Sequence, residues 1–286
     1  MILIDTHVHL YQSQYLNQLL YRAHGNFKNT AKVIARKKHE CDGVLCLTQT
    51  AKSLTFKQLL DITYSKAEFS DNMGDWRVDI TKEKVSLAMH AFSETADPYV
   101  VYLIGGQQIV SNEKLEVLSL ANQLHISDGM SLQETLYAIA ESGGVPIIPW
   151  GVGKWFGKRG GVVKRLIKRD PDVRFFLGDN LARPKCWPYV HLFNMARKRG
   201  IEILNGSDPL NFTSELIKPG SFGVAFPYAH LDPQRPAAKI KQLLLDRQQP
   251  KRNYGTPQSF GSFLASQIKL NFLRLRQETV SRELLK

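Results

Sequence analysis

Two periods run through the apolar and polar positions of this chain. Met1-Ile-Leu-Ile4, Gly43-Val-Leu-Cys-Leu-Thr48 and Tyr99–Ile104 are short apolar runs that predict buried strands. Downstream, Val145–Pro149, Val173–Leu177 and Ile201–Leu204 recur about every 28 residues, with room for a helix in each gap. Those helices are Gly161–Arg169 and Pro188–Arg199, the second closed by Gly200. Strands alternating with helices at this spacing predict βα units and a parallel sheet.

Helical stretches also precede this region. One covers Tyr15–His39, with a break at Gly25-Asn26, and another covers Phe56–Phe69. A third opens on the capping box Ser131-Leu-Gln-Glu134 and closes at Gly143-Gly144. Trp76–Phe92 reads as short strands around Lys82-Glu83-Lys84, which makes His90 a core or edge histidine. After Asp208 the alternation fades. Pro227–Pro236 reads as loop, Ala237–Arg247 as a short helix, and Gln249–Phe260, with Pro250, Gly255 and Pro257, as a linker. Phe263–Leu285 is helical. Leu264, Ile268, Phe272 and Leu275 form its apolar stripe, expected to pack on the barrel with Lys269, Arg274 and Arg276 in solvent.

Composition narrows the class. At 286 residues and 43% apolar, the chain can bury a large α/β core. No apolar run reaches the roughly 18–20 residues that span a bilayer. The N-terminus lacks a basic region and carries Asp5 at once, unlike a signal peptide. Cys41, Cys46 and Cys186 form no C-x-x-C and fit free thiols in the cytoplasm. The net charge of +12 is uneven: from Arg235 onward there are 11 Lys/Arg and 3 Asp/Glu, hence 11 − 3 = +8. That excess is either a solvated face or an attraction for an anionic substrate, nucleic acid or an anionic membrane surface.

The chemistry gathers where strands end. His7 and His9 are two apart directly after the first run, so both imidazoles, with Asp5, are expected on one side. They can share a metal ion or simply hydrogen-bond near a strand end. The later strands end in Trp150, Lys154 and Trp155, in Asp179, Asn180 and Arg183, and in Asn205, Ser207 and Asp208. In a parallel α/β barrel these ends share one rim. The loop Trp150–Gly161 is glycine-rich, basic and aromatic, and offers backbone N–H groups with Lys154, Lys158 and Arg159 to an anion. It lacks the spacing of a P-loop. Asp179 and Arg183, four apart, are either a loop-stabilising pair or a general base with an anion clamp.

In this order the motifs resemble the polymerase-and-histidinol-phosphatase (PHP) family, a relative of the amidohydrolases, over residues 1–226. The family's opening His-x-His is His7 and His9 here, and its final Gly-Ser-Asp is Gly206-Ser207-Asp208. Its Thr-Asp-His is Thr48-Gln49-Thr50, its Gly-x-Glu is Gly106-Gln107-Gln108, its histidine before an apolar strand is Glu116, and its His-Pro is Trp150-Gly151. The resemblance implies a distorted TIM-like (β/α)7–8 barrel, with a basic C-terminal helical extension over 227–286 packed on it. The family commonly holds three metal ions and hydrolyses phosphoesters. With most ligand positions replaced, His7, His9 and Asp208, joined by Glu116, are expected to hold one divalent ion, zinc, manganese or iron. Asp179 or Asp208 would take a proton, with Arg183 clamping charge, and Lys154, Arg159, Arg183 and Asn180 would bind an anionic, phosphorylated substrate. The alternatives are an amidohydrolase cleaving C–N or C–O bonds, and a degenerate barrel that binds an anionic ligand or a partner.

Overall fold

The computed structural model describes residues 1–35, 41–50, 56–65, 76–91, 99–122, 124–169, 171–187 and 190–283. The expected element ends at His39, Phe69, Phe92, Pro188 and Leu285 lie outside them. The strands are β1 (Ile2–Val8), β2 (Asp42–Gln49), β3 (Trp76–Ile80), β4 (Ser86–Ala91), β5 (Val100–Val110), β6 (Glu116–Leu120), β7 (Val145–Pro149), β8 (Phe176–Asn180), β9 (Ile203–Gly206), β10 (Gly223–Phe226) and β11 (Arg252–Tyr254). The helices are α1 (Leu16–Ala35), α2 (Phe56–Ser65), α3 (Leu132–Glu141), α4 (Gly157–Arg169), α5 (His191–Lys198), α6 (Pro236–Leu245) and α7 (Phe260–Glu283). Helix α1 runs through Gly25 without the expected break. The capping box of α3 forms as the sequence predicts.

One sheet runs β11-β10-β1-β2-β5-β6-β7-β8-β9, with the β3–β4 hairpin branching from β5. It is mixed, not parallel as the alternation suggested. β1–β2, β2–β5, β7–β8 and β8–β9 pair parallel. β5–β6, β6–β7 and β1–β10 pair antiparallel. The reason is connection length. β5 and β6 are joined only by residues 111–115, and Ser111 N–H donates to the Leu115 carbonyl at 2.8 Å. Such a turn can make a hairpin but not a crossover.

Alternate residues explain why these runs are apolar throughout. Ile2, Ile4, Val44, Cys46, Tyr102 and Ile104 share an inner cluster with Val145, Ile147, Phe176 and Leu204. The intervening Leu3, Leu45, Val101 and Leu103 pack outward against Leu19, Leu20 and Phe27 of α1 and Leu59 of α2. On the other side Ile148, Leu177 and Ile203 meet Val163 and Ile167 of α4 and Phe193 of α5. A sheet covered on both faces needs apolar side chains at both parities. Helix α6 adds Ala237, Ile240, Leu243 and Leu244 to the inner cluster. The Glu83 carboxylate accepts from the Ala237 and Ala238 amides at its first turn, at 2.8 and 2.9 Å.

The sheet is nearly closed into a barrel, and side chains stitch the seam between β9 and the β1–β10–β11 edge. Asn253 Nδ2 donates to the Ile203 carbonyl at 2.8 Å, and its Oδ1 accepts from Asn205 N–H at 3.3 Å. Asn205 Nδ2 donates to the Tyr254 carbonyl at 3.2 Å, and Thr6 Oγ1 donates to the Asn205 carbonyl at 2.9 Å. Two asparagines thus replace a ladder where the strands diverge.

Residues 249–260, expected as linker, therefore contribute a strand. Three residues between Pro250 and Gly255 are too short to show a period, yet β11 pairs with β10 and buries Tyr254. The sheet consequently extends past residue 226. Helix α7 departs from expectation in the other direction. Leu264 and Ile268 are 47% and 60% exposed, so these two members of the stripe do not pack on the barrel. Lys269 does face solvent, lying 5.8 Å from the Phe212 ring centroid. The side chains of Phe272, Arg274, Leu275 and Arg276 lie outside the described residues.

Two truncations test this division. Ending the chain after residue 260 should change the melting temperature by no more than about 2 °C, since Leu264 and Ile268 are already exposed. Ending it after residue 249 removes β11, the burial of Tyr254 and the Asn253 stitches, roughly 3–5 kcal/mol together. Thermal unfolding should then shift down by about 10 °C or more. Equal melting temperatures would mean that β11 does not hold the seam.

Candidate metal centre

The centre begins with an irregularity in β1. Its pairing with β2 is regular from Ile2 to Asp5, then shifts before Val8. Strict alternation therefore fails across this stretch, and Asp5 does not join the imidazoles as expected. Its carboxylate is fully buried at the seam. Oδ1 accepts from Ser207 N–H at 2.7 Å and His7 N–H at 3.3 Å, and Oδ2 from Gly220 N–H at 2.8 Å. Burial pushes the Asp5 carboxyl up to about 7, against the pull of these amide donors.

His7 and His9 do converge. Their Nε2 atoms are 3.0 Å apart, and each lies 3.5 Å from Asp208 Oδ1. Four-coordinate zinc with ligands near 2.0–2.1 Å places neighbouring donor atoms about 3.3–3.4 Å apart. The triangle is therefore close to the edges of such a site. His9 Nδ1, by contrast, is buried with no hydrogen-bond partner among the described residues. Burial, opposed by the Asp208 charge and reinforced by His9 and Lys154, lowers the His7 pKa to about 4. The imidazole thus stays neutral, the state that binds metal. For Asp208, burial raises the carboxyl, but His7, His9 and Lys154 outweigh it and the net direction is down. Two imidazole nitrogens and one carboxylate converging on one point fit a divalent ion.

Backbone geometry fixes Asp208. Its φ is +47°, a left-handed conformation uncommon for a side chain with a Cβ, and its N–H donates to the His7 carbonyl at 2.7 Å. Gly206 lets β1 and β9 approach: a Cβ there would stand 2.5 Å from His7 Cβ and 2.6 Å from His7 N. Asn180 finishes the carboxylate. Its Nδ2 donates to Asp208 Oδ2 at 2.8 Å and to the Trp150 carbonyl at 2.9 Å, while its Oδ1 accepts from Ala182 N–H at 3.2 Å. Every polar atom of this amide is engaged. Asn180 orients a ligand here, where the sequence suggested substrate contact.

Strand parity separates Asn180 from its neighbour. Phe176 packs inward and Leu177 outward, so Asn180 faces in and Asp179 out. Asp179 takes Arg183 bidentately, Nε to Oδ1 at 2.8 Å and a terminal nitrogen to Oδ2 at 2.6 Å, and Arg183 also donates to the Trp187 carbonyl at 2.9 Å. Both side chains are buried in this pair. It is the loop-stabilising arrangement, and neither is placed at the centre as base or anion clamp. Glu116 is not among the convergent ligands either. Because β6 runs antiparallel to β5 and β7, its first residue, not its last, reaches this rim. There the Glu116 carboxylate pairs with the Lys154 ammonium. Lys154 stays close enough for its charge to act on His7 and Asp208. Arg159 instead donates to the Gly153 carbonyl at 3.0 Å and braces the loop.

Two neighbours were not named as site residues. Gln108 hydrogen-bonds the His7 side chain, and its signal was the Gly106-Gln107-Gln108 stretch that stands where the family has Gly-x-Glu. Tyr11 stands with its ring 5.7 Å from that of His9, and burial with the nearby Asp208, Glu116 and Glu215 carboxylates raises its phenol above the ordinary range. A spacing of two from His9 was the one available signal for Tyr11.

No family model matches the chain, and no curated protein does. Among solved structures, the crystal structure of PsfC from Pseudomonas syringae PB-5123 is similar with a TM-score of 0.54 and 16% sequence identity, over 95% of this chain and 98% of that one. That likeness is one of fold.

Gly206→Ala should push His7 away and abolish divalent-metal binding, read by calorimetry, while circular dichroism stays folded. Asn180→Ala should leave the trio in place but free Asp208, weakening metal affinity by about 10–100-fold. Unchanged affinity in Asn180→Ala would remove Asn180 from the centre.

Proposed function

We propose that this chain is a metal-dependent hydrolase acting on an anionic, phosphorylated substrate, built on a PHP-like or amidohydrolase-like distorted TIM-like barrel. One observation carries the reading: His7, His9 and Asp208 turn three donor atoms onto a single point inside a rim that also presents Lys154. His7, His9 and Asp208 would hold one divalent ion, of which zinc, manganese and iron suit the donors. Such an ion supplies Lewis acidity and an activated water at neutral pH.

The chain's own groups divide the remaining work. Asn180 and the Asp208 backbone hold the carboxylate in one orientation. Lys154 leaves Glu116 to meet the negative charge of the substrate, and the released Glu116 carboxylate then accepts a proton. Tyr11 remains protonated and can donate a hydrogen bond toward the reacting oxygen. The Asp179–Arg183 pair keeps the β8 loop rigid beneath Asn180. The basic residues after Arg235 and the exposed apolar positions of α7 leave an anionic surface, nucleic acid or membrane, as a second partner class. No helix among the described residues is long and apolar enough to cross a membrane.

Untagged protein should carry about one zinc, manganese or iron ion per chain by elemental analysis, and His7→Ala should carry none. Hydrolysis of a generic phosphomonoester should vanish on chelation and return with metal. Lys154→Met should raise KM by about tenfold or more with a smaller effect on metal content. Three ions per chain, or none, would contradict this reading.

A further inference from the structure

A cavity of about 690 Å³ adjoins the centre. Its size falls among small-molecule sites, which run from about 300 to 1,000 Å³. Phe56 and Leu60 of α2, Val85 ahead of β4, and Leu124 form apolar walls, and Lys57 and Lys84 supply cations. The side facing α2 is a built wall. Gln107 holds Ile126 by both amide atoms, accepting from its N–H at 3.0 Å and donating to its carbonyl at 2.7 Å. The nearby Asp128 carboxylate accepts from Val110 N–H at 2.8 Å, so the only acid lining the cavity among the described residues is already engaged. Gln108 lines the cavity and hydrogen-bonds His7, which joins this space to the candidate metal centre.

We infer that the cavity receives the non-reacting part of the substrate, and that this part is an apolar body, aryl or branched acyl, bearing an acid group. The substrate assignment rests on the hydrolase reading, but occupancy of the cavity does not. Apolar walls bind the body by removing it from water. Two lysines beside one engaged carboxylate favour an anion over a neutral or cationic group. Gln108 then keeps the bound molecule next to His7 without adding charge.

The probe is 2-naphthoate, an apolar-bodied acid that a hydrolase cannot cleave, titrated by calorimetry into protein as purified. One site per chain is expected, with 2-naphthol and acetate both weaker. Leu60→Trp should fill the cavity and cut affinity by roughly tenfold or more. Leu124 is 62% exposed, so Leu124→Trp narrows the same space without entering the core. The double variant Lys57→Ala/Lys84→Ala should lose about fivefold and flatten the salt dependence. His7→Ala should bind 2-naphthoate as the parent does. The inference is overturned by absence of binding, by parent-like binding in both tryptophan variants, or by loss in His7→Ala alone, which would place the ligand on the metal. Metal analysis on the same samples separates the two claims: a metal-free protein that binds 2-naphthoate keeps the cavity and loses the hydrolase.

Discussion

The buried carboxylate of Asp5 is the constraint on which the centre depends. It gathers amides from three places in the chain: His7 within the irregularity of β1, Ser207 after β9, and Gly220 ahead of β10. None of these amides could find another partner at that depth without moving its strand, and an unmet buried donor costs about 1–3 kcal/mol. One side chain therefore sets the relative height of β1 and β9, the two strands that flank the seam. His7 and Asp208 sit on opposite sides of it, each adjacent in sequence or within two residues of an Asp5 contact. The register of the candidate ligands is thus a consequence of satisfying one buried carboxyl group.

The strain at the centre follows from the same closure. Asp208 takes a left-handed backbone, and the glycine at 206 gives up its Cβ space to His7. Both features bring a β9 side chain over the end of β1 at a distance that a regular ladder would not allow. The stitches by Asn205 and Asn253 do the corresponding work lower in the seam. A left-handed aspartate, a close-packed glycine and a ring nitrogen with no partner among the described residues concentrate where the barrel fails to close by hydrogen-bonded strands. Such local conflicts with the rules of regular structure mark functional sites more often than they mark errors of folding.

The sequence disclosed the strands well and their directions poorly. Val145–Pro149 was read to the residue because both ends of that run are punctuated, while the strand expected at Val173–Leu177 lies at Phe176–Asn180. Apolar runs report burial, and the β8 ladder continues into the polar Asp179 and Asn180, which pair with Asn205 and Gly206. That shift also decided which of two adjacent polar residues faces the centre, something no composition argument could supply. His7, His9 and Asp208 were legible because each follows a strand end. Glu116 was placed there by analogy, and its partner Lys154 became visible only with the fold, whereas the spacing of Asp179 and Arg183 already offered the pair that the fold shows. Strand β11 was invisible because its register comes from β10 and two asparagines, not from a pattern of its own.

Charge argues for the number of ions. Clustered divalent cations repel one another strongly unless several carboxylates stand between them, since the interaction grows as the local dielectric falls. Here the positions that would carry such charge hold neutral groups. Gln108 reaches His7 as an amide, Asn180 reaches Asp208 as an amide, and Thr48 spends its hydroxyl on the Val8 carbonyl at 3.3 Å. Lys154 adds a positive charge that acts on both His7 and Asp208. Glu116 pairs with it, which leaves the local balance unchanged. With Asp208 as the single convergent anion among the described residues, a first ion already makes the site positive. A second would have to enter against that charge, whereas an anionic substrate would be drawn in by it. The same neutral groups that argue against a multinuclear cluster therefore leave room for one ion at most, and such an ion would attract a negatively charged ligand.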